Sequence, residues 1–373
     1  MVYLVGIVIT IFLSFILLTK KEKSDADKIL FAWLCVIWIH LSTFAIISSK
    51  EFLDLPYLLG LELPLPLLHG PFLFIYTSAL TSEKRIGRQS LIHLLPFAIG
   101  LILILPFLFL SPNEKIGVYL NEGEGYTLLT SFFFAGIIVS GIVYISLSLR
   151  QIFRHRKRIK DNFSYTEKVN LQWLLNLTIG LSCIWLIIFF AEDKFIFSAV
   201  VVYVLFIGYY GIKQVGIFTN QRPHENAINS VPPDNIGTIK DSLENPKYLK
   251  SSLSDEQIKT IHGDLGELMR MKKMFLTPEL TLAMVAQELD VHPNTLSQVI
   301  NLKEEKNFFD YINSLRVAEF KARAVKPENH KYTLLALAFE CGFNSKTSFN
   351  RNFKNATGES PSMFSKAAKV DLK

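Results

Sequence analysis

The sequence predicts an all-α protein in two parts, a polytopic apolar part followed by a C-terminal part of short helices. Half of its 373 residues are hydrophobic and 30 of them are Phe, a composition that favours a membrane protein. Long apolar segments fill the chain up to position 212, and basic residues recur in alternate loops. Beyond position 276, apolar residues recur at helical spacing and are interrupted by turn residues.

Seven apolar segments can be traced in the first part, each close to the length of about 20 residues that crosses a hydrocarbon core. They are 2–19, 29–48, 63–80, 91–110, 127–149, 171–191 and 195–212. The first is predicted to stay uncleaved, because its lysines follow it rather than precede it. The third is predicted to be broken or re-entrant, because Pro64, Pro66 and Pro71 crowd its start. Residues 1–218 are therefore predicted to form a seven-span domain.

Loop charges predict the orientation of these segments. The loops after odd-numbered segments carry most of the basic residues, which are Lys20, Lys21, Lys23, Lys28, Lys84, Arg85, Arg88, Arg150, Arg154, Arg156, Lys157, Arg158, Lys160 and Lys168. By the positive-inside rule these loops are cytoplasmic, which puts the N-terminus outside and the C-terminus inside. The dense run at 154–160 is predicted to bind anionic lipid headgroups, with a nucleic-acid role as the less favoured alternative.

A polar linker is predicted over 219–253, where Asn, Pro and Gly are frequent and apolar periodicity is weak. A helix follows, because Ser254 and Gln257 form a capping-box pattern. Its apolar residues, Ile258, Ile261, Leu265 and Leu268, share one face. This stripe either mediates coupling and dimerisation or packs on the domain that follows, and the sequence leaves both roles open. Linker and helix together span 219–275.

Residues 276–373 begin with a helix-turn-helix pattern. Thr281 is predicted to start a short helix and Pro293 the next, since Pro needs no backbone donor in the first turn. The second helix has one apolar face and one polar face; the apolar residues are Leu296, Val299 and Ile300, and the polar residues are Asn294, Ser297, Gln298 and Asn301. A recognition helix needs this layout, because one face holds it on its partner while the other enters the major groove.

A second pattern of the same kind follows. Thr333 and Ser345 are predicted to cap two helices, and Gly342 permits the chain reversal between them. Phe343, Phe349 and Phe353 are predicted to face the core, whereas the outward residues are Lys346, Thr347, Asn350, Arg351 and Lys354. Arg351 suits guanine and Lys354 a phosphate. Between the patterns, 308–324 is predicted to be one helix of roughly 25 Å, a spacer that suits successive major grooves. The alternative is a small helical bundle with polar surface helices.

The last 90 or so residues resemble the AraC family of bacterial transcription regulators. The residues that carry the resemblance are Arg316, Ala338, Gly342, Phe343, Ser345, Phe349, Phe353, Lys354, Gly358, Pro361 and Phe364. The resemblance implies base contacts at Asn294, Ser297, Gln298, Lys346, Thr347, Asn350 and Arg351. We predict that the chain binds double-stranded promoter DNA as a homodimer. The motifs HGPFLFIYTSAL and GYYGIKQVGIF are similar to a seven-span sensor module of some Bacteroidetes regulators, which implies a bacterial inner-membrane protein.

The first pattern departs from the family. It has no Lys or Arg in its second helix, and Ile300 stands where the family usually has Phe. From position 279 to 310 there are six acidic residues against two basic ones, whereas from 316 to 369 there are ten Lys and Arg against four Glu. Because phosphate neutralisation dominates affinity, the second unit is expected to anchor the protein and the first to discriminate bases.

No segment has the spacing of a metal site or of a nucleophile and its base, and the three cysteines form no disulfide pattern. We therefore predict neither an enzyme nor a cofactor or metal. His69, beside Gly70 and Pro71, is a candidate ligand-binding residue; the alternative is a bond to a carbonyl of a broken helix. The sequence predicts a membrane-tethered one-component transcription regulator that responds to an unknown stimulus. The runner-up is a transporter or channel with a regulatory tail, which the sparse charge within the spans disfavours.

Overall fold

The computed structural model describes residues 2–82, 87–166, 171–213, 253–329 and 331–370, and this part of the chain is helical without strands. Most of the linker predicted at 219–253 lies outside the described residues, as do Lys84, Arg85 and Lys168. The chain divides into two compact units. Unit 1 comprises Met1–Arg154 and Leu171–Arg222, and unit 2 comprises His155–Asn170 and Pro223–Lys373.

Unit 1 contains an apolar helix at each of the predicted spans. These helices are α1 (Val2–Thr19), α2 (Asp25–Ser49), α3 (Pro66–Thr81), α4 (Leu95–Leu108), α6 (Thr127–Asn162), α7 (Gln172–Ile187) and α8 (Asp193–Lys213). Among the described residues, four helices are long and apolar enough to cross a membrane by length and composition: α1, α2, α6, and α4 together with the 3₁₀ turns at Arg88–Leu94 that lead into it. The number of crossings stays a prediction.

Two features of unit 1 differ from the sequence-based expectation. A short helix, α5 (Pro112–Leu120), stands in the loop before α6, and its first turn is closed by a capping box between Ser111 and Glu114. The helix α6 does not end at 149 but continues to Asn162, so the basic run at 154–160 is helical. The apolar stretch ends at 149, but the helix continues through the basic residues because Lys and Arg are good helix formers.

The core of unit 1 is rich in large aromatic side chains. Trp33, Tyr76 and Trp173 are almost fully buried, and Tyr76 packs between the two indoles with tilted rings, at centroid distances of 6.4 and 6.1 Å. The helix α3 contributes Leu73 and Tyr76 to this core although Pro71 interrupts its backbone bonding. The aromatic core therefore explains how α3 is held despite its prolines.

Within the described residues, unit 2 contains the end of α6 and seven further α-helices. They are α9 (Asp255–Met271), α10 (Leu282–Glu288), α11 (Pro293–Glu304), α12 (Phe308–Ala324), α13 (Leu334–Glu340), α14 (Lys346–Thr357) and α15 (Pro361–Val370). The first helix pair is α10 with α11 and the second is α13 with α14. The spacer helix α12 begins and ends at the predicted residues.

The spacer helix contributes to both cores of unit 2. Its first half places Phe308 and Ile312 in the core of the first helix pair, and its second half places Val317 and Phe320 in the core of the second pair. The apolar stripe of α9 packs into the first core through Leu265, which is fully buried. Of the two roles left open for this stripe, the packing role is therefore observed for unit 2.

Candidate nucleic-acid interface

The helix α11, which the sequence predicts to be the first recognition helix, begins at the predicted position. Asp290 takes a left-handed backbone conformation at φ 52° and turns the chain, and Pro293 opens the helix. The cap is His292, whose Nδ1 accepts a hydrogen bond from the Asn294 amide at 3.2 Å. Sequence reasoning missed this cap because His is not among the residue types that usually occupy the position.

The two faces of α11 are as predicted. Leu296, Val299 and Ile300 are fully buried, so this face holds the helix on its neighbours. On the opposite face Asn294 and Gln298 are exposed, whereas Ser297 is half-buried. The polar face of α11 thus presents amide groups to solvent and carries no charge between Pro293 and Leu302.

The helix α14, which the sequence predicts to be the second recognition helix, is capped by Ser345, whose hydroxyl accepts from the Ser348 amide at 3.0 Å. Phe349 and Phe353 are buried and pack on Phe320 of the spacer helix at centroid distances of 4.6 and 5.5 Å. The outward residues are all exposed; they are Lys346, Thr347, Asn350, Arg351 and Lys354. This face is cationic, in contrast to the neutral face of α11.

Two polar residues of α14 lie on its inner face. Ser348 and Asn352 are buried, and the Asn352 amide donates to the Ser348 carbonyl at 3.0 Å and to its hydroxyl at 3.2 Å. Each is therefore satisfied within its own helix. Because these two residues lie on the inner face, the outward face of α14 is formed by the residues that the sequence predicts to face outward.

Arg316 of the spacer helix is one of the largest fully buried side chains of the protein. Its Nε donates to the Phe275 carbonyl at 2.7 Å, and its Nη2 donates to the Thr277 carbonyl at 2.7 Å. These acceptors lie between α9 and α10, so a single guanidinium fixes the entry to the first helix pair. The planar fork of Arg suits several fixed acceptors in a way that Lys does not.

The turn of the second helix pair passes close to the same arginine. Gly342 has φ 92°, and a Cβ at this position would lie 2.6 Å from the Phe275 carbonyl oxygen and 2.9 Å from Nε of Arg316. Only glycine fits here, because both the backbone conformation and the space exclude a side chain. The match of Gly342 to the family pattern thus has a steric cause.

Residues 163–166, which follow α6 directly, also bind here. Arg316 donates to the Ser164 carbonyl through Nη1 at 3.2 Å and to the Ser164 hydroxyl through Nη2 at 3.0 Å. The Thr166 hydroxyl accepts from Nη2 of Arg351 at 3.2 Å. Sequence reasoning missed this contact, because no local pattern relates residues so far apart in the chain.

An ion-pair network joins α12 to its neighbours. Glu319 accepts from Lys273 at 3.0 Å and from Arg323 at 2.8 Å, and Arg323 also reaches Glu340 at 3.3 Å. Burial alone raises the pKa of Glu319, but the bonds from Arg323 and Lys273 lower it overall. The bond to Glu319 raises the pKa of Arg323 in turn. Both groups therefore stay charged at neutral pH and tie α12 to α13.

In unit 1, His69 lies beside a mainly apolar cavity of about 560 Å³, whose walls include Phe133, Trp185 and Phe197. Its Nδ1 accepts from Nε1 of Trp33 at 3.2 Å, and its Nε2 lies 3.1 Å from Nδ1 of His40. These bonds replace the predicted alternative of a backbone carbonyl as partner.

The histidine pair has one defined proton arrangement when both rings are neutral. The indole of Trp33 can only donate, so Nδ1 of His69 is the acceptor and the proton of His69 is on Nε2. This N–H donates a hydrogen bond to Nδ1 of His40. His40 then carries its proton on Nε2, which has no hydrogen-bond acceptor within the described part of the chain. Within that part, no group of three or more His, Cys, Asp or Glu residues could hold a metal ion.

Comparison with known proteins bears on unit 2. Residues 285–367 match the family model described as a helix-turn-helix domain, which is of the AraC type. A solved structure of a protein of unknown function from Listeria innocua is 24% identical, covers 29% of this chain and 95% of its own, and gives a TM-score of 0.25. No curated protein matches. The family match begins within α10, ends within α15, and supports a DNA-binding transcription regulator, a class that is typically not enzymatic.

Proposed function

We propose that the chain is a membrane-tethered one-component transcription regulator. In this proposal both helix pairs read promoter DNA, probing it through the outward residues of α11 and α14. The main support is that α11 and α14 each expose a polar face, while one spacer helix packs into the cores of both helix pairs. The helix-turn-helix match over 285–367 supports it independently.

We assign the two recognition helices different tasks. The base-reading residues of α11 are Asn294, Ser297 and Gln298, and those of α14 are Lys346, Thr347, Asn350 and Arg351, with Lys354 on a phosphate. Amides can bond bidentately with adenine, and Arg with guanine. The neutral face of α11 and the cationic face of α14 support discrimination by the first pair and anchoring by the second. A homodimer on a two-part operator completes this proposal.

We further propose that unit 1 is a seven-span sensor in a bacterial inner membrane, with its N-terminus outside. The four long apolar helices support membrane anchoring. The basic residues at the cytoplasmic end of α6 support an orientation in which unit 2 faces the cytoplasm and its DNA. A transporter with a regulatory tail remains the runner-up, and unit 2 counts against it because a transporter needs no recognition helices.

The decisive experiment is genome-wide crosslinking and immunoprecipitation of the tagged full-length protein. We expect sharp promoter peaks for the wild type, their loss in Arg351→Ala, and their retention in Lys326→Ala. The control removes the same charge from an exposed position that follows α12 and belongs to neither α11 nor α14. Peaks that are absent in the wild type under all growth conditions tested would reject the regulator in favour of the transporter.

For the stimulus, we propose that the cavity beside His69 takes a small apolar molecule with an oxygen acceptor. Its volume of about 560 Å³ falls in the usual range for small-molecule sites. The donor chain from Trp33 through His69 to His40 supports the acceptor. Native mass spectrometry of the purified protein tests this: we expect a copurified small molecule on the wild type and on His93→Phe, but not on His69→Phe. Equal occupancy of all three would reject the site.

A further inference from the structure

The segment after α6 is built into unit 2 by backbone as well as side-chain bonds. Phe163 forms an isolated antiparallel bridge with Thr281, and the Ser164 amide donates to the Leu280 carbonyl at 3.1 Å. Phe163 and Tyr165 are buried together with Ile159 of α6. This geometry is that of a bound segment, because a solvated loop would leave these aromatic side chains exposed.

Two residues of the spacer helix bind Ser164. The Asn313 amide donates to the Ser164 carbonyl at 3.0 Å, and Arg316 donates to that carbonyl and to the hydroxyl. All three residues are almost fully buried. Leaving a buried polar group without its hydrogen-bond partner costs free energy, so these bonds hold the segment in one register.

The same segment engages a residue that we assign to DNA. Arg351 directs Nη2 to the Thr166 hydroxyl, and its Cζ lies 5.9 Å from the ring centroid of Phe309. The Nζ of Lys160 lies 5.9 Å from the same ring. A guanidinium that reads guanine must turn its donors to O6 and N7 of the base. The bond to Thr166 uses one of the two Nη2 hydrogens and fixes the orientation of the guanidinium, so Arg351 has to reorient before its fork can face O6 and N7.

We propose that residues 163–166 are an autoinhibitory latch, which holds Arg351 away from DNA until the cytoplasmic end of α6 moves. This inference rests on the proposed function, since it assigns regulation to the DNA-reading face. The latch follows α6 without a break, so a movement of that helix pulls directly on Ser164. The signal thus reaches the recognition helix through this loop, in addition to any route through the linker after α8.

The test uses full-length protein in lipid nanodiscs and duplexes selected from a random 40-bp pool with the Thr166→Val variant. Valine keeps the shape of threonine and removes the acceptor for Arg351, whereas Thr166→Ser keeps the acceptor. We expect Thr166→Val to bind the selected duplex about three- to tenfold more tightly than the wild type, the range for one charge-assisted bond on a partly exposed side chain. Thr166→Ser should bind like the wild type.

A double-mutant cycle isolates the contact: at a salt concentration low enough for Arg351→Ala to retain measurable binding, Thr166→Val should have no effect in the Arg351→Ala background. Equal or weaker binding by Thr166→Val, with the wild type binding the same duplex, would overturn the latch and leave the regulator intact. Failure of every variant to select any duplex would overturn the proposed function, and the latch with it.

Discussion

Arg316 and Ser164 share two hydrogen bonds, from Nη1 to the carbonyl and from Nη2 to the hydroxyl, although 152 positions separate them in the chain. The same guanidinium holds the Phe275 and Thr277 carbonyls. One buried cation thus joins the spacer helix to two segments that precede it. Nε, Nη1 and Nη2 of Arg316 each donate to a protein oxygen. These hydrogen bonds offset the free-energy cost of burying the charge.

Arg316→Lys should destabilise unit 2 strongly. A lysine ammonium keeps the charge but cannot reach the acceptors of the fork, so several buried carbonyls lose their partner, at a cost of about 3 kcal/mol or more. Arg323→Lys is the matched control; its ion pairs are partly exposed and should contribute about 1 kcal/mol or less. Thermal melts of the two variants in the same detergent check this. Equal shifts in melting temperature would contradict the bridging role of Arg316.

Gly342→Ala should cost far more than Gly358→Ala. Both glycines have positive φ, at 92° and 81°, so both substitutions carry the same backbone strain of about 1 kcal/mol. At Gly358 a new Cβ meets nothing within 4 Å, whereas at Gly342 it meets two carbonyl oxygens at 2.6 and 2.8 Å. We expect an additional loss of about 2 kcal/mol or more at Gly342 from displaced backbone. A comparison of the two melting temperatures measures the steric contribution alone.

Local signals explain what the sequence predicts well. Three helix starts follow from local caps, in which a side chain accepts from the amide three positions on; the capping residues are Thr281, Thr333 and Ser345. The spacer helix follows from its apolar stripe, with Asn307 as its cap. Exposure of Gln298 and Arg351 likewise follows from helical periodicity, because the opposite face is apolar.

Contacts between distant positions are what the sequence does not reveal. The bond from Arg351 to Thr166 and the pair of His40 and His69 depend on which helices become neighbours, and no periodicity encodes that. The extension of α6 to Asn162 was missed for another reason: a helix was inferred from an apolar run, and the run ends where the basic residues begin. Helical propensity continues through them.

Cys341 should be an internal reporter of unit 2. Its side chain is fully buried, and burial raises the pKa of the thiol to about 11. Only the thiolate reacts with iodoacetamide, so at pH 8 the native thiol is both shielded and protonated. In a Cys35→Ser, Cys183→Ser background we expect no alkylation under native conditions and complete alkylation in urea. Rapid labelling without urea would show that the core around α13 opens readily.

Glu319→Gln should lose stability at neutral pH but not in acid. The pKa of Glu319 is lowered in the folded protein, so its charge contributes stability that is fully present above the ordinary value of 4.5 and is lost as the pH falls through the lowered value. The glutamine variant lacks this titration. We therefore expect the melting temperatures of wild type and variant to differ at pH 7 and to converge below pH 4.5. A gap that stays constant in acid would show that packing, and not charge, sets the difference.

A disulfide between Phe163→Cys and Thr281→Cys should lock the latch. These residues face each other across the antiparallel bridge, and such pairs have Cα atoms roughly 4.5–5.5 Å apart, within the range that a disulfide spans. With the native cysteines at 35 and 183 replaced by serine, and Cys341 buried, oxidation joins the new pair. The oxidised protein should bind DNA more weakly than its reduced form, and a reductant should restore binding. Phe163→Cys alone controls for the loss of the buried ring. If oxidation leaves DNA affinity unchanged while mass spectrometry confirms the disulfide, release of this segment is not required for binding.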